Sequence, residues 1–431
     1  MDMLHILVIF STILSVMLLG IYFKNNNLLG VVYSSVFIFL VTGQNINIMY
    51  SLEESDQVYY LFNVINYQGH LYANLILVAI LSLIFILQVF AYHGAGNNYG
   101  YLKKTVAKKN VKIYYYTLMV FWFIAFFLII NVVGGWNEWV ESDRPVSSGS
   151  TFFLILLTSG IYPLVFKIMS RCKMIYLDII LAVVSVIMIT SFSRFIGIFT
   201  LLQIFCAWYY SGDRKVLSKN LKVFVLAGMV FVLVFFVYGN YRHMNMYTQG
   251  MSILEIVDYV SEHWEESLFS LDKNYHIGIE GMSGLSGLIT FACGNDEYFN
   301  IDLGISMITG ILKLIPSNIR DFLVGDLLEY LQSIYWYHGS IIAGGLECYF
   351  MHFSVFMIIL YPITWYVYTN YINRKIIMLH FGFERVMYII IGIYGLNVIR
   401  GTTANVIFYT TSEVAVAYLS YKWFRRFFVS E

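Results

Sequence analysis

Charged side chains are scarce in this chain: 26 Lys and Arg and 26 Asp and Glu make up 12% of 431 residues, against 59% hydrophobic residues. That balance excludes a soluble globular protein and a nucleic-acid partner, because neither a solvated surface nor a basic patch can be built from it. Cysteine is equally sparse. Cys172, Cys206, Cys293 and Cys348 share no CxxC spacing and form no ligand cluster with the nine histidines, so no metal site and no cofactor are expected. The first apolar segment, 3–23, lacks a basic start and an A-x-A-like cleavage site, and reads as a retained membrane span. A DxD pair is absent too, which removes one common seat for a divalent cation.

What fills the sequence is apolar runs. Segments at 3–23, 28–48, 72–92, 113–133, 151–170, 174–190, 194–210, 221–238, 341–368, 384–399 and 403–421 are each of span length or near it, giving eleven candidate transmembrane helices. The expected fold is an all-α polytopic membrane protein of one membrane domain over 1–431, with one large external loop at 239–340. Charge orients it, since Lys and Arg collect on the cytoplasmic side. Strict alternation from the Lys103–Lys112 loop leaves only Arg144, Arg194, Arg242, Lys273, Lys313, Arg320 and Arg400 outside. The N-terminus is therefore expected outside and the C-terminus inside.

The external segment contains "ILEIVDYVSEHWEESL", with Ile253, Ile256, Val257, Val260, Trp264 and Leu268 at helical spacing, and "GISMITGILKLIP", a weaker repeat of the pattern. Both are read as amphipathic helices. In "GMSGLSGLITFACG", Gly281, Gly284 and Gly287 stand three apart, which points to close backbone packing or a tight turn before a phosphate nest.

Three outer arginines carry the functional reading. Arg194 in "SFSR" joins two short spans, Arg242 in "GNYR" opens the large loop, and Arg400 in "NVIRGTTAN" sits in a tight outer turn. Interfacial anchoring to lipid headgroups is the plain alternative for any one of them. Three at similar depth, against the inward bias of the other cations, favour a phosphate ligand, because guanidinium binds phosphate bidentately and keeps its charge. Arg320 is a reserve member beside Asp321. His338 and Glu347 bracket "GSIIAGG" and are the candidate bases for a hydroxyl acceptor. A structural hydrogen bond for His338, and an arginine partner for Glu347, are the competing explanations. Asp178 and Glu413 raise the same question inside their spans.

The order "SFSR", "GNYR", "HGSIIAGGLECYFMHF", "IRGTTAN" resembles the O-antigen polymerase (Wzy-type) family over about residues 150–420. The arginine-to-glycine pattern of some members, with ten residues between, is missing: Phe205, Ile253, Leu331 and Thr411 stand at the glycine place. The resemblance implies a C-type glycosyltransferase-like fold in a bacterial inner membrane, with its active site facing the periplasm. It implies metal-independent, en bloc transfer of a glycan from undecaprenyl diphosphate to the next lipid-linked repeat unit. Donor and acceptor glycolipids and membrane lipids are then the partners, with a chain-length regulator and a flippase beside them. For that reaction Arg194, Arg242 and Arg400, with Arg320 in reserve, are the expected diphosphate ligands, and His338 and Glu347 the expected catalytic residues. A lipid-linked oligosaccharide flippase and a ligase of the same fold class are the rival readings. Glu53, Glu54 and Asp56 in the first outer loop are similar to a carboxylate-dependent branch of these transferases, or form an ordinary solvated turn.

Overall fold

A computed structural model describes residues 2–60, 63–92, 108–132, 161–170, 172, 176, 178, 180, 181, 185, 194–211, 282–294, 345–379, 382–400 and 403–428. Among the described residues the fold is helical apart from one two-stranded antiparallel pair. Among the described residues five helical stretches are long and apolar enough to cross a membrane: Met3–Lys24, Leu28–Glu54, Tyr67–Ala91, Val111–Leu128 and Ser354–Met378. The protein is an all-α membrane protein. The chain divides into two compact units, one of Met1–Tyr99, Tyr275–Met378 and Ile391–Ser412, the other of Gly100–Asn274, Leu379–Ile390 and Glu413–Glu431.

In the first unit, α1 (Met3–Lys24) starts on the Asp2 side chain, which accepts from the Met3 N–H. Its outward residues are apolar (Ile6, Phe10, Ile13, Met17), whereas Ser11 and Ser15 are buried among Leu4, Val8, Leu14 and Leu18. This arrangement suits lipid outside and small polar groups at helix contacts. The following turn uses three asparagines differently. The Asn25 N–H closes the helix on the Ile21 carbonyl, and Asn26 takes a left-handed conformation at φ 51, which asparagine tolerates. Asn27 then caps α2 (Leu28–Phe37) by accepting from the Gly30 N–H at 3.0 Å.

A π turn, Ile38–Thr42, carries α2 into α3 (Gly43–Glu54), so the second span runs well past the expected residue 48. Strands β1 (Gln57–Tyr60) and β2 (Asn63–Asn66) pair antiparallel and lead into α4 (Tyr67–Tyr92). In the second unit, α5 (Lys108–Val132) packs on the short α6 (Tyr162–Met169), which packs on α7 (Arg194–Tyr210).

Back in the first unit, α8 (Met282–Gly294) is a buried helix within 239–340, the stretch expected as an external loop, and it lies against α4 and β2. Helix α9 (Gly345–Phe353) ends where Ser354 turns left-handed at φ 47. The expected span 341–368 is thus corrected. A positive φ at a non-glycine residue cannot continue a helix, and the membrane-length segment is Ser354–Met378. It comprises a 3₁₀ turn (Ser354–Phe356), α10 (Met357–Tyr366), a π turn (Val367–Tyr371) and α11 (Ile372–Met378). Helices α12 (Gly382–Tyr394), α13 (Asn397–Arg400) and α14 (Thr403–Phe428) complete the chain.

Contacts fix how the first unit is polarised. Tyr22 near the end of α1 meets Thr369, Asn27 meets Asn370, and Gln88 near the end of α4 accepts from Asn370. These ends carry Lys24, Arg374 and Lys375. At the opposite end His5 pairs with Glu53, and the Tyr67 hydroxyl donates to Asp2. Among the described residues one end of the unit is basic and the other acidic.

Candidate functional site

The first unit brings two of the predicted site residues to one place. Glu347 stands in the first turn of α9 with 3% of its surface exposed. Its carboxylate lies flat on α8 at Gly284: a Cβ there would stand 2.4 Å from Glu347 Oε2 and 3.1 Å from its Cδ. The glycine spacing noted in the sequence is, at this position, close packing for a charged side chain. Two residues before Glu347, Gly345 touches the backbone of α13, where a Cβ would be 1.8 Å from the Val398 carbonyl oxygen. Helix α13 ends at Arg400. The candidate base and one candidate phosphate ligand therefore sit on two chain segments in backbone contact. Lysine or any other side chain at Gly345 would separate them.

Position within the unit follows from α8. Its Ser286 hydroxyl meets His70 Nδ1 at 2.8 Å, four residues into α4, and its Thr290 accepts from the Asn66 N–H at the start of that helix. Glu347 thus lies about two helical turns in from the acidic end, at 1.5 Å per residue. It is far from Lys24, Arg374 and Lys375.

Arg194 opens α7 in the second unit. Arg242, Arg320 and His338 lie outside the described residues, as do the two amphipathic segments. Among the described residues no group of three His, Cys, Asp or Glu could hold a metal ion.

Two other intramembrane acids singled out from sequence are accounted for in the second unit. Asp178 accepts from Lys167 Nζ at 2.7 Å, both side chains fully buried, and the ammonium lies 4.4 Å above the Tyr115 ring. Glu413 accepts from the buried Tyr162 hydroxyl. Glu53, from the acidic outer turn, pairs with His5 across the α1 and α3 ends. An ion pair such as Lys167 with Asp178 neutralises charge inside a low-dielectric interior, where a lone carboxylate would be costly.

Sequence reasoning passed over a buried polar network in the first unit. Asn45 and Asn74 exchange two hydrogen bonds, at 2.7 and 3.0 Å; Asn45 also donates to Ser11, and Asn74 Nδ2 reaches His70 Nε2 at 3.4 Å. All are buried. The signal was present as polar residues inside apolar runs, but length and hydropathy of a run do not register what interrupts it.

Helices of membrane length, an interior seamed with hydrogen bonds and a buried carboxylate at a three-helix junction define a membrane protein with a buried polar site. No family model, curated protein or solved structure matches the chain.

Proposed function

We propose that this chain polymerises undecaprenyl-diphosphate-linked oligosaccharide repeat units into a surface polysaccharide, by en bloc glycosyl transfer at the periplasmic face of a bacterial inner membrane. The observation that supports it is the meeting of Glu347 and the Arg400-bearing helix α13 through Gly345, at the part of the unit away from its basic end. By the inward bias of Lys and Arg, the acidic end is the periplasmic one. In the proposed topology eleven spans place the N-terminus outside and the C-terminus inside.

In the reaction an acceptor sugar hydroxyl attacks the anomeric carbon of the donor. The bond from that carbon to the diphosphate oxygen breaks, and the hydroxyl proton passes to a base. Arg194, Arg242 and Arg400, with Arg320 in reserve, stabilise the negative charge left on the diphosphate, a task for which fixed guanidinium groups need no metal. Glu347 or His338 takes the proton. Burial of Glu347 on Gly284 keeps that carboxylate in one orientation.

Disrupting the gene and resolving the surface polysaccharide on a gel tests the reading. Loss of the ladder with single repeats still at the surface is the expected result, and loss of all glycan would reassign the protein to export or ligation. Arg194→Ala and Arg400→Ala at wild-type protein levels should each reduce polymer output by on the order of 10²-fold or more. Normal long chains in both would remove the arginines from the mechanism.

A further inference from the structure

We infer that His70 is a positioning residue for Glu347, acting through α8, and that the buried hydrogen-bond network behind His70 exists to fix the register of that helix. The inference deepens the proposed reaction and rests on it only for the role given to Glu347.

Helix α8 is seated at three points along one side. At its start the Ser283 N–H, one of the first-turn donors that no helix can satisfy internally, points to Gln44 Oε1 at 3.4 Å. In the middle Ser286 meets His70 Nδ1 at 2.8 Å. Near its end Thr290 lies on Gly69, where a Cβ would stand 2.0 Å from Thr290 Oγ1, and the same oxygen accepts from the Asn66 N–H at 3.3 Å. Residues 283, 286 and 290 share a helix face by their spacing of three and four. Gly284 is turned about 100° from Ser283, and that is the face on which Glu347 rests.

A slip of α8 by one residue would therefore break all three polar seats and swing Gly284 out from under the carboxylate. In an apolar interior each orphaned group is costly, so the register is held. Apolar packing alone would not hold it, since sliding one greasy helix along another changes little.

The central seat is itself held from behind. Asn74 Nδ2 lies 3.4 Å from His70 Nε2, and His70 Nδ1 shares a 2.8 Å hydrogen bond with the Ser286 hydroxyl. Asn74 is locked by its double bond with Asn45, and Asn45 by Ser11 on α1. A continuous buried path thus runs from α1 through α3 and α4 to α8, one helix short of Glu347.

The test uses the full-length protein in membranes and reads Glu347 without reference to sugar transfer. A hydrophobic carbodiimide modifies buried carboxyls according to their surroundings, and labelling of Glu347 is followed by peptide mass spectrometry in wild type, His70→Ala, His70→Asn and Ser286→Ala. His70→Ala and Ser286→Ala should change the labelling rate severalfold and alike, because they remove the same bond. His70→Asn, whose side-chain amide can bond the Ser286 hydroxyl from the place of Nδ1, should return it to the wild-type rate. A helix that merely needed bulk at position 70 would not be rescued by asparagine. Ser286→Ala removes a single hydroxyl and keeps the test valid if His70→Ala does not fold. Unchanged reactivity in His70→Ala and Ser286→Ala overturns the inference, and so does the absence of labelling in every protein. If gene disruption leaves the polysaccharide ladder intact, the polymerase reading falls while the labelling result stands on its own.

Discussion

Lys167 and Asp178 form a 2.7 Å ion pair with side-chain exposures of 1% and 0%, roofed by the rings of Tyr115 and Tyr116 at 4.4 and 5.0 Å from the ammonium. Removing either partner alone strands a charge in the interior. Lys167→Met or Asp178→Leu should each cost about 3–5 kcal/mol of stability, and the double variant should recover most of it. Thermal unfolding of the purified protein in detergent checks this. A double variant as unstable as the singles would mean that the pair supplies net stability instead of cancelling its own burial cost.

Two glycines in the first hairpin make a matched pair. A Cβ on Gly30 would lie 2.0 Å from Tyr22 Cδ1, and Tyr22 cannot swing away because its hydroxyl bonds both Thr369 and Trp365. Gly30→Ala should therefore destabilise by about 1–3 kcal/mol through overpacking. A Cβ on Gly20 of α1 would meet nothing within 4 Å. Gly20→Ala should be neutral or stabilise by up to about 1 kcal/mol, since alanine loses less freedom on entering a helix. The melting temperatures should move in opposite directions or differ clearly in size.

Gln203 on α7 is 1% exposed, and neither atom of its amide has a hydrogen-bond partner among the described residues. An unsatisfied buried amide costs about 1–3 kcal/mol. Gln203→Met keeps the length of the side chain and should raise the melting temperature without lowering polymer output. Loss of polymer with a raised melting temperature would instead mark the amide as a contact to substrate.

Asp2 lies just before α1, and the Tyr67 hydroxyl that donates to it holds its carboxyl below the usual carboxylate range, helped by the Met3 N–H. A depressed carboxyl contributes stability above its unfolded titration range and loses it as pH falls through the folded value. Asp2 is fully exposed, so the effect on stability is small. The sharper expectation is that Tyr67→Phe raises the Asp2 titration back toward the ordinary range, read from a selectively labelled aspartate carbon by NMR.

Much of the helical layout was legible because hydropathy over about 20 residues reports directly on what a membrane accepts. The runs at 3–23, 72–92 and 113–133 lie on α1, α4 and α5 with small shifts. The run at 341–368 misled, because "ECYFMHFSVFMIIL" reads as unbroken. A single left-handed Ser354 divides it into a short buried helix and a separate long one. Backbone angle at one residue leaves no trace in composition. Of the candidate site, Glu347 was visible as an acid in an apolar stretch, and Gly284 as one of three spaced glycines. Their contact was not visible, since 63 positions separate them in sequence.

Composition by itself determined that this chain lives in a membrane and that its long helices are predominantly apolar. Those are properties of transfer from water to lipid, which each segment meets alone. Only the tertiary structure decided which polar residues face one another: that Asp178 is answered by Lys167, that Asn45 locks Asn74, and that Glu347 rests on the helix whose Ser286 meets His70. Hydropathy is nearly indifferent to rotation and register between greasy helices, whereas a hydrogen bond has a length and a direction. The few polar groups therefore set the arrangement that the many apolar ones leave open.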